Sequence, residues 1–513
     1  MPIRMVEDPN DRDSGTGGGG RGGRGGGNLI GILLGLVFRY PKLLIPILII
    51  GGIMVWKGGC IGGIPGTDNS TNSAFATGGT LDPEQYAKAD IFNFLYEDNK
   101  TNPLPESVSL LDYCPQRMNQ GAQGSCVAWS NAYSARTILY ARQTGQNPDQ
   151  VAFSPSYLFN NIKLNENCQG SYIVNAVKWM SETGAVPLRD FTYDPNSCSR
   201  DIPDGLNDKA ANFKIKGAQR LGENPNAGLK LQDILQIKQS LKAGSPVVIG
   251  MMVGGSFMQD MMGKKVWHPN SDDRDQNGFG GHAMTVIGYD DNLEGGALQL
   301  MNSWGPEWGE NGIAWVRYAD FVDFVKEAYA YAPMGKYDEV KPEKFEVVFS
   351  LMNNNTKSDI PLTEANGRFV TKNKVAPGTP FKIKIKNNVE CYSYIFGQDT
   401  NASSYVLYPY TAKHSPYCGV SGTRVFPRYF NMQPDNIGTS DFIAIYITRK
   451  PVNFEEINQK INRNINRDYG FAVHSALRGE LATDVKFTVN DAIQFRTPYN
   501  EEKGVVAIIE IRK

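Results

Sequence analysis

Apolar side chains at Ala128, Ala132, Ala135 and Leu139 fall four, three and four residues apart, the spacing of one face of a helix. Ser125 is a residue type that caps helix starts, so this pattern predicts a helix with Cys126 in its first turn. Residues 171–182 repeat the helical spacing through Ile173, Ala176, Val177 and Met180, with Gly184 after it, and residues 232–242 do so before Gly244. Downstream the pattern changes to short β-branched and alternating runs over 247–253, 283–289, 297–302 and 312–318, which predict strands. Beyond residue 345 nearly everything reads as strands, including 345–351, 380–386, 391–396, 442–448 and 505–511, with one helix over 454–463.

Helices followed by strands are the pattern of an α+β domain, and residues 104–333 read as one such unit with a cleft where its two halves meet. Residues 345–513 read as a separate β-rich domain, and residues 58–103 as a small, polar linker with a short helix over 85–97. Residues 1–28 are polar and then almost entirely glycine, which predicts a disordered tail. Arg21 and Arg24 stand among those glycines without the aromatics that nucleic-acid-binding repeats use, so no nucleic-acid partner is expected.

Residues 29–57 hold the one strongly apolar run. Its uninterrupted part, 43–56, is short against the ~20 residues a helix needs to cross a bilayer, and Lys42 and Lys57 can extend it by reaching the interfaces. A single transmembrane anchor is the expectation, with a cleaved signal peptide as the rival. Arg4, Arg12, Arg21, Arg24, Arg39 and Lys42 precede residues 43–56, whereas after Lys57 no basic residue occurs until Lys88. That asymmetry places the N-terminus in the cytoplasm and the bulk of the chain outside it, periplasmic or extracellular, where disulfides can form; the Arg–Gly tail and the apolar run point to a bacterial membrane protein.

Composition changes this picture little. A chain of 513 residues exceeds one core, and a net charge of -1 gives no electrostatic reason for a polyanionic partner. Four histidines and seven cysteines include no H-E-x-x-H or C-x-x-C spacing, so neither a metal nor another cofactor is expected. Asp273, Asp275, Asn277 and Gly278 open like a calcium loop, but Met284 stands where the closing acid belongs, and a polar turn is the expectation.

Candidate chemistry gathers in three segments. Cys126 lies in N-Q-G-A-Q-G-S-C, His282 in G-G-H-A-M-T-V-I-G-Y-D at the start of a strand, and Asn302 in M-N-S-W-G-P-E-W-G-E-N-G. A thiol at a helix N-terminus is favoured as the thiolate, a histidine across the cleft can pair with it, and an asparagine can orient the imidazole. Gln120 can donate its side-chain amide beside the Cys126 N–H to form an oxyanion hole.

These segments resemble, in order and spacing, those of the papain family of cysteine peptidases, over residues 105–333. The resemblance implies a papain-like two-lobe domain that cleaves protein or peptide substrates. Carried over, Cys126 is the nucleophile, His282 the general base and acid, Asn302 the orienting residue and Gln120 the oxyanion donor. Trp304 corresponds to the indole that shields the His–Asn hydrogen bond, and Trp308 to the second tryptophan of that motif; the resemblance implies that both tryptophans also bind substrate. The C-Q-G-S-Y at Cys168 to Tyr172 corresponds to a stretch lining the substrate cleft, with Gly170 and Ser171 as substrate-binding residues and Gly170 holding substrate backbone. Gln123 replaces one of the family's half-cystines, and the resemblance pairs Cys168 with Cys198 instead. Val127 replaces the tryptophan that usually follows the nucleophile, and Gly281 the Asn or Asp that usually precedes the histidine.

Cys391 and Cys418 are the natural pair of the C-terminal domain, whose expected role is to position the peptidase or bind a protein partner. The function expected is a membrane-tethered cysteine endopeptidase. The altered neighbours of Cys126 and His282 keep two alternatives open: a catalytically silent scaffold with an occluded cleft, and an acyltransferase or deamidase using the same three residues.

Overall fold

A computed structural model describes residues 3–7, 75–91 and 104–513, apart from 223, 412, 420–422, 428–429, 465–466 and 500. Cys60 and the expected anchor at 29–57 lie outside the described residues. Among those described, no helix is long and apolar enough to cross a membrane.

The peptidase region has the expected two halves. In the first, the segment from Cys126 to Thr144 is one continuous helical run, followed by helices Pro155–Ile162 and Ile173–Glu182. All four positions of the predicted apolar face are buried, but the helix is not the one-faced surface helix the spacing suggests. Cys126, Val127, Ala128, Ala132, Ala135 and Leu139 pack into the helical half, whereas Trp129, Tyr133 and Ile138 of the same run pack into the other half. A helix lying between two cores is covered all round. Its middle, Trp129–Arg136, is widened to i→i+5 turns. There the Asn131 side chain takes the Val127 carbonyl at 2.7 Å, the acceptor that a regular turn would offer to the backbone.

The second half is a twisted sheet in the order Ala218–Arg220, Val325–Tyr331, Val247–Val253, Gly280–Asp290, Ala297–Met301, Ile313–Arg317, Val266–Trp267, with Ser107–Ser109 added beside Gly280–Asp290. Pairings are antiparallel except the last. The register sets Met251 opposite His282 and Thr285 opposite Met301, so His282 stands near the start of a central strand, facing the nucleophile helix.

The C-terminal region is two packed sheets. One runs Ile3–Glu7, Phe430–Pro434, Phe381–Asn387, Lys344–Asn353, Ala492–Pro498, Lys486–Asn490; the other Leu362–Ala365, Arg368–Thr371, Val505–Arg512, Ser440–Thr448, Cys391–Gln398, Ser404–Tyr408. Strand residues of the second sheet alternate between two apolar surroundings. Ile395, Ile443, Ile445, Ala507 and Ile509 face the first sheet, and Tyr394, Phe396, Ala444, Tyr446, Val506 and Ile508 face helices Phe454–Asn462 and Tyr469–Ala476. Both faces being covered explains why these strands read as unbroken apolar runs.

Three expectations need correction. Residues 3–7 are not a disordered tail: they form a strand antiparallel to 430–434, with Ile3 buried in the sandwich core. Residues 75–91 are not a linker: they lie against the peptidase region, and the predicted 85–97 helix shortens to Pro83–Tyr86, capped by Asp82 and started by Pro83. Residues 92–97 of that helix lie outside the described residues. Cys391 and Cys418 sit directly opposite each other on paired strands but remain thiols, Cys418 lying 2.8 Å from the Ser393 hydroxyl.

Candidate active site

Loop and helix termini bring the nucleophile into place. Ser125 occupies the N-cap position without making a side-chain cap; its Oγ instead lies 2.9 Å from the Tyr193 hydroxyl. That hydroxyl donates to the Gln120 carbonyl at 2.7 Å and lies 3.2 Å from Gln123 Oε1. Gln123 Nε2 reaches the Asp194 carbonyl at 3.3 Å, so hydrogen bonds tie this loop to residues 193–194. The bridge expected at Cys168–Cys198 is present, with an S–S distance of 2.04 Å.

Cys126 Sγ accepts the Ala283 N–H at 3.4 Å, which seats the sulfur against the strand carrying His282. His282 Nε2 lies 2.7 Å from Asn302 Oδ1, and Trp304 stacks on the imidazole with ring centres 4.4 Å apart. His282 Nδ1 is buried without a hydrogen-bond partner among the described residues. Ser303 Oγ donates to Gln120 Oε1 at 2.6 Å, which fixes the amide so that Nε2 points the other way. Ser303 stands inside the N-S-W motif, and its contact with Gln120 gives it a positioning role that its residue type alone does not signal. Burial pushes the Cys126 thiol up to about 12 and the His282 imidazole down to about 4, so both groups are neutral in this state.

The burial has a source in the chain itself. Residues 75–82 run along the cleft as a strap. Gly78 and Gly79 donate to the Gly281 carbonyl at 3.3 and 2.9 Å; Ser171 donates to the Gly78 carbonyl and accepts from Thr80, both at 3.0 Å. Gly79 and Ser171 thereby form a parallel rung. Gln120 Nε2 and Trp304 Nε1 both point at the Ala76 carbonyl, at 3.3 and 2.8 Å, and Phe75 stacks on Trp304.

Glycines make room for the strap on both sides. A Cβ on Gly281 would lie 2.0 Å from the Gly79 oxygen, one on Gly78 would lie 2.2 Å from the Gly124 oxygen, and one on Gly250 would lie 2.5 Å from Leu81 Cδ2. The departure at Gly281 therefore has a physical reason: any side chain there would strike the strap. At the strap's far end Asp82 donates its N–H to Glu327 Oε1 at 2.9 Å, and the buried Tyr86 hydroxyl is bonded to the Leu221 carbonyl and to the Ala328 N–H. Burial raises the Glu327 carboxyl to about 7.

Two sequence assignments shift. Gly170 uses its N–H on the Gly124 carbonyl and its carbonyl on the Leu164 N–H, so the backbone that holds chain in the cleft is that of Ser171. Trp308 does not line the cleft; it stands edge-on behind Trp304, with Nε1 donating to the Phe257 carbonyl at 2.9 Å. His268 pairs with Glu294 at 2.7 Å on the surface. Asn270 caps a short helix, and Asp273 three residues on accepts from the Asn270 and Ser256 N–H groups, which gives the calcium-like segment a structural role. Among the described residues no cluster of metal-ligating side chains occurs.

A two-lobed α+β region with a cysteine on a helix start and a His–Asn pair on the facing sheet defines a thiol-hydrolase class of site. Residues 105–331 match the papain family of cysteine proteases. The chain is 28% identical over 46% of its length to an uncharacterised peptidase C1-like protein of Acanthamoeba polyphaga mimivirus, covering 73% of that protein. It is 25% identical over 46% of its length to cathepsin B-like CP2 of Giardia intestinalis, covering 75% of it. Among solved structures, xylellain, a cysteine protease from Xylella fastidiosa, aligns at 21% identity and a TM-score of 0.41, covering 51% of this chain and 96% of that one. The region 105–331 is a papain-family cysteine peptidase domain, and the protein is a cysteine-type peptidase.

Proposed function

We propose that the protein is a membrane-tethered endopeptidase that hydrolyses peptide bonds through a thioester acyl-enzyme, with Cys126, His282, Asn302 and Gln120 in the roles their positions suggest. The observation that carries this reading is the His282–Asn302 pair on a strand whose Ala283 N–H reaches Cys126 Sγ, with Gln120 fixed by Ser303 and His282 Nδ1 without a partner among the described residues. Once the strap leaves and water enters, the Cys126 proton passes to His282 Nδ1. The thiolate then attacks the scissile carbonyl carbon, and Gln120 Nε2 with the Cys126 N–H holds the oxyanion. The C–N bond breaks as His282 returns the proton to the leaving amine. Water, deprotonated by the same nitrogen, then hydrolyses the thioester and restores the thiol.

The filled cleft also suits the silent-scaffold reading, and one experiment separates the readings. Peptide cleavage that adds one water across the bond, and is abolished by Cys126→Ala, supports the hydrolase. Products that keep the chain intact point to deamidation or transfer. No turnover together with no His282-dependent alkylation of Cys126 leaves the scaffold.

The tether rests on the apolar composition of residues 29–57. Its single-crossing form, with the N-terminus inside and the peptidase outside, conflicts with the pairing of residues 3–7 to 430–434, since one crossing between them would part hydrogen-bonded strands. Labelling of a cysteine placed at Pro2 from one or other side of intact cells decides between the two.

A further inference from the structure

The strap does not end on the peptidase region. Its last described residues, Asp90 and Ile91, lie where the edge strand Ala218–Arg220 of the peptidase sheet meets the C-terminal sandwich. On one side Arg220 donates its N–H to the Asp90 carbonyl at 2.7 Å. On the other, Ile91 donates to the Lys413 carbonyl at 2.7 Å and accepts from Ser415 at 3.4 Å, while Lys413 Nζ donates to the Lys88 carbonyl at 2.8 Å. Ile91 is thus a single-residue rung shared between Arg220 of the peptidase region and His414 of the sandwich, parallel to both. The same turn is fastened to the peptidase region independently of the strap by the Gln219 amide bonded to the Ser415 hydroxyl, and the sandwich is further held by an ion pair of Lys216 with Glu390 at 2.6 Å.

We propose that the C-terminal sandwich is the regulatory domain of this peptidase, and that its 413–415 turn is a clasp holding the strap in the cleft. Only a short stretch separates the two ends of the device. Ile91 is gripped by the clasp, Tyr86 is anchored five residues earlier in a buried pocket, and Gly78–Gly79 lie against Gly124, Gly281 and His282. The helix Pro83–Tyr86 lies between as a stiff spacer capped by Asp82. A strand that must leave a slot lined by Gly124, Gly250 and Gly281 loses hydrogen bonds to Gly281 and Ser171 together, so it departs as a unit rather than residue by residue. Opening the clasp frees one end of that unit and moves the balance toward an uncovered cleft. The clasp stands on contacts alone; its consequence for turnover rests on the peptidase reading.

The experiment tracks the rate at which iodoacetamide alkylates Cys126 in the full-length protein, read by mass spectrometry, together with hydrogen exchange of the 78–81 amides. Ile91→Pro removes the N–H that Lys413 accepts, and Ser415→Pro removes the N–H that reaches Ile91 from the sandwich side. Each is expected to raise the alkylation rate at least tenfold and to speed exchange of the Gly79 and Thr80 amides. Gln219→Ala removes only a side-chain contact and is expected to raise the rate about threefold, which keeps the reading available where a proline variant fails to fold. Lys450→Ala, at an ion pair with Glu502 elsewhere on the sandwich, is expected to change nothing. Alkylation of Ser415→Pro and Gln219→Ala at the parental rate would overturn the clasp, as would a parent protein whose Cys126 reacts as fast as free cysteine. Faster alkylation without any peptide cleavage would sustain the clasp and sink the hydrolase reading, whereas cleavage by the parent with unaltered variants would do the reverse.

Discussion

The peptidase region and the C-terminal sandwich bury their interiors by different means. In the sandwich, strand residues alternate between two apolar surroundings, and an isolated charged group such as Lys513 is held by two carboxylates, Asp435 and Asp441, at 2.6 Å each. In the peptidase region the interior around the cleft is polar: Gln120, Ser171, His282, Asn302 and Ser303 are all buried, and the slot above them is walled by glycines. The central strands of the sandwich follow the packing pattern, and the proposed clasp involves only its 413–415 turn. A region that has to do chemistry departs from it where the chemistry sits, and here it covers those departures with its own chain.

The sharpest way to test that contrast is to remove bulk from the sandwich. Phe349 is buried between the two sheets, and Phe349→Ala is expected to cost about 3–5 kcal/mol of stability in urea unfolding. A loss below about 1 kcal/mol would show that the sandwich core closes round the gap and is not tightly packed. In the peptidase region the corresponding cost is expected in rate rather than stability. Gln120→Ala should lower kcat for peptide hydrolysis by about 100-fold or more while KM changes little, because the donor acts on charge that develops in the transition state. Equal losses in Gln120→Ala and in a sandwich variant such as Cys418→Ala would erase the distinction between the two regions.

The smallest effect expected is a pH dependence at the strap. Glu327 is held by burial at about 7, above its ordinary value, against the opposing pull of the Asp82 N–H and the Tyr329 hydroxyl. A carboxyl raised on folding binds more protons in the folded state between about 4.5 and 7. Its stabilising contribution is therefore complete below that window and is lost as pH rises through it. Relative to Glu327→Gln, the parent should lose stability from pH 5 to pH 8, measured as the difference in urea midpoints. A parent and variant that run parallel over that range would place the Glu327 carboxyl at its ordinary value.

Much of this was legible in the sequence, because local pattern carries it. The strands at 247–253 and 391–396 and the helix at 454–463 were readable within two residues, since burial on one or both faces leaves a period in the chain. Cys126, His282, Asn302 and Gln120 were readable because each lies in a segment whose residue types are demanded by its chemistry. The strand Val325–Tyr331, the helix Tyr469–Ala476 and the widened turns after Ala128 were not, for their form depends on neighbours far along the chain.

By itself, then, the sequence determined the α+β order of the peptidase region, the β character of the C-terminal region and the identity of the reactive side chains. Only the tertiary structure decided that residues 75–82 cover the cleft, that Ser171 rather than Gly170 grips chain there, that residues 3–7 join the sandwich and that residue 91 is shared between two regions. The physical reason is range. Side-chain periodicity and residue chemistry are properties of short segments, whereas a strap of small and polar residues has no pattern of its own. Its place is fixed by backbone hydrogen bonds to Gly281, Ser171 and Lys413 and by absent side chains at Gly124, Gly250 and Gly281, none of which can be seen until the chain is folded.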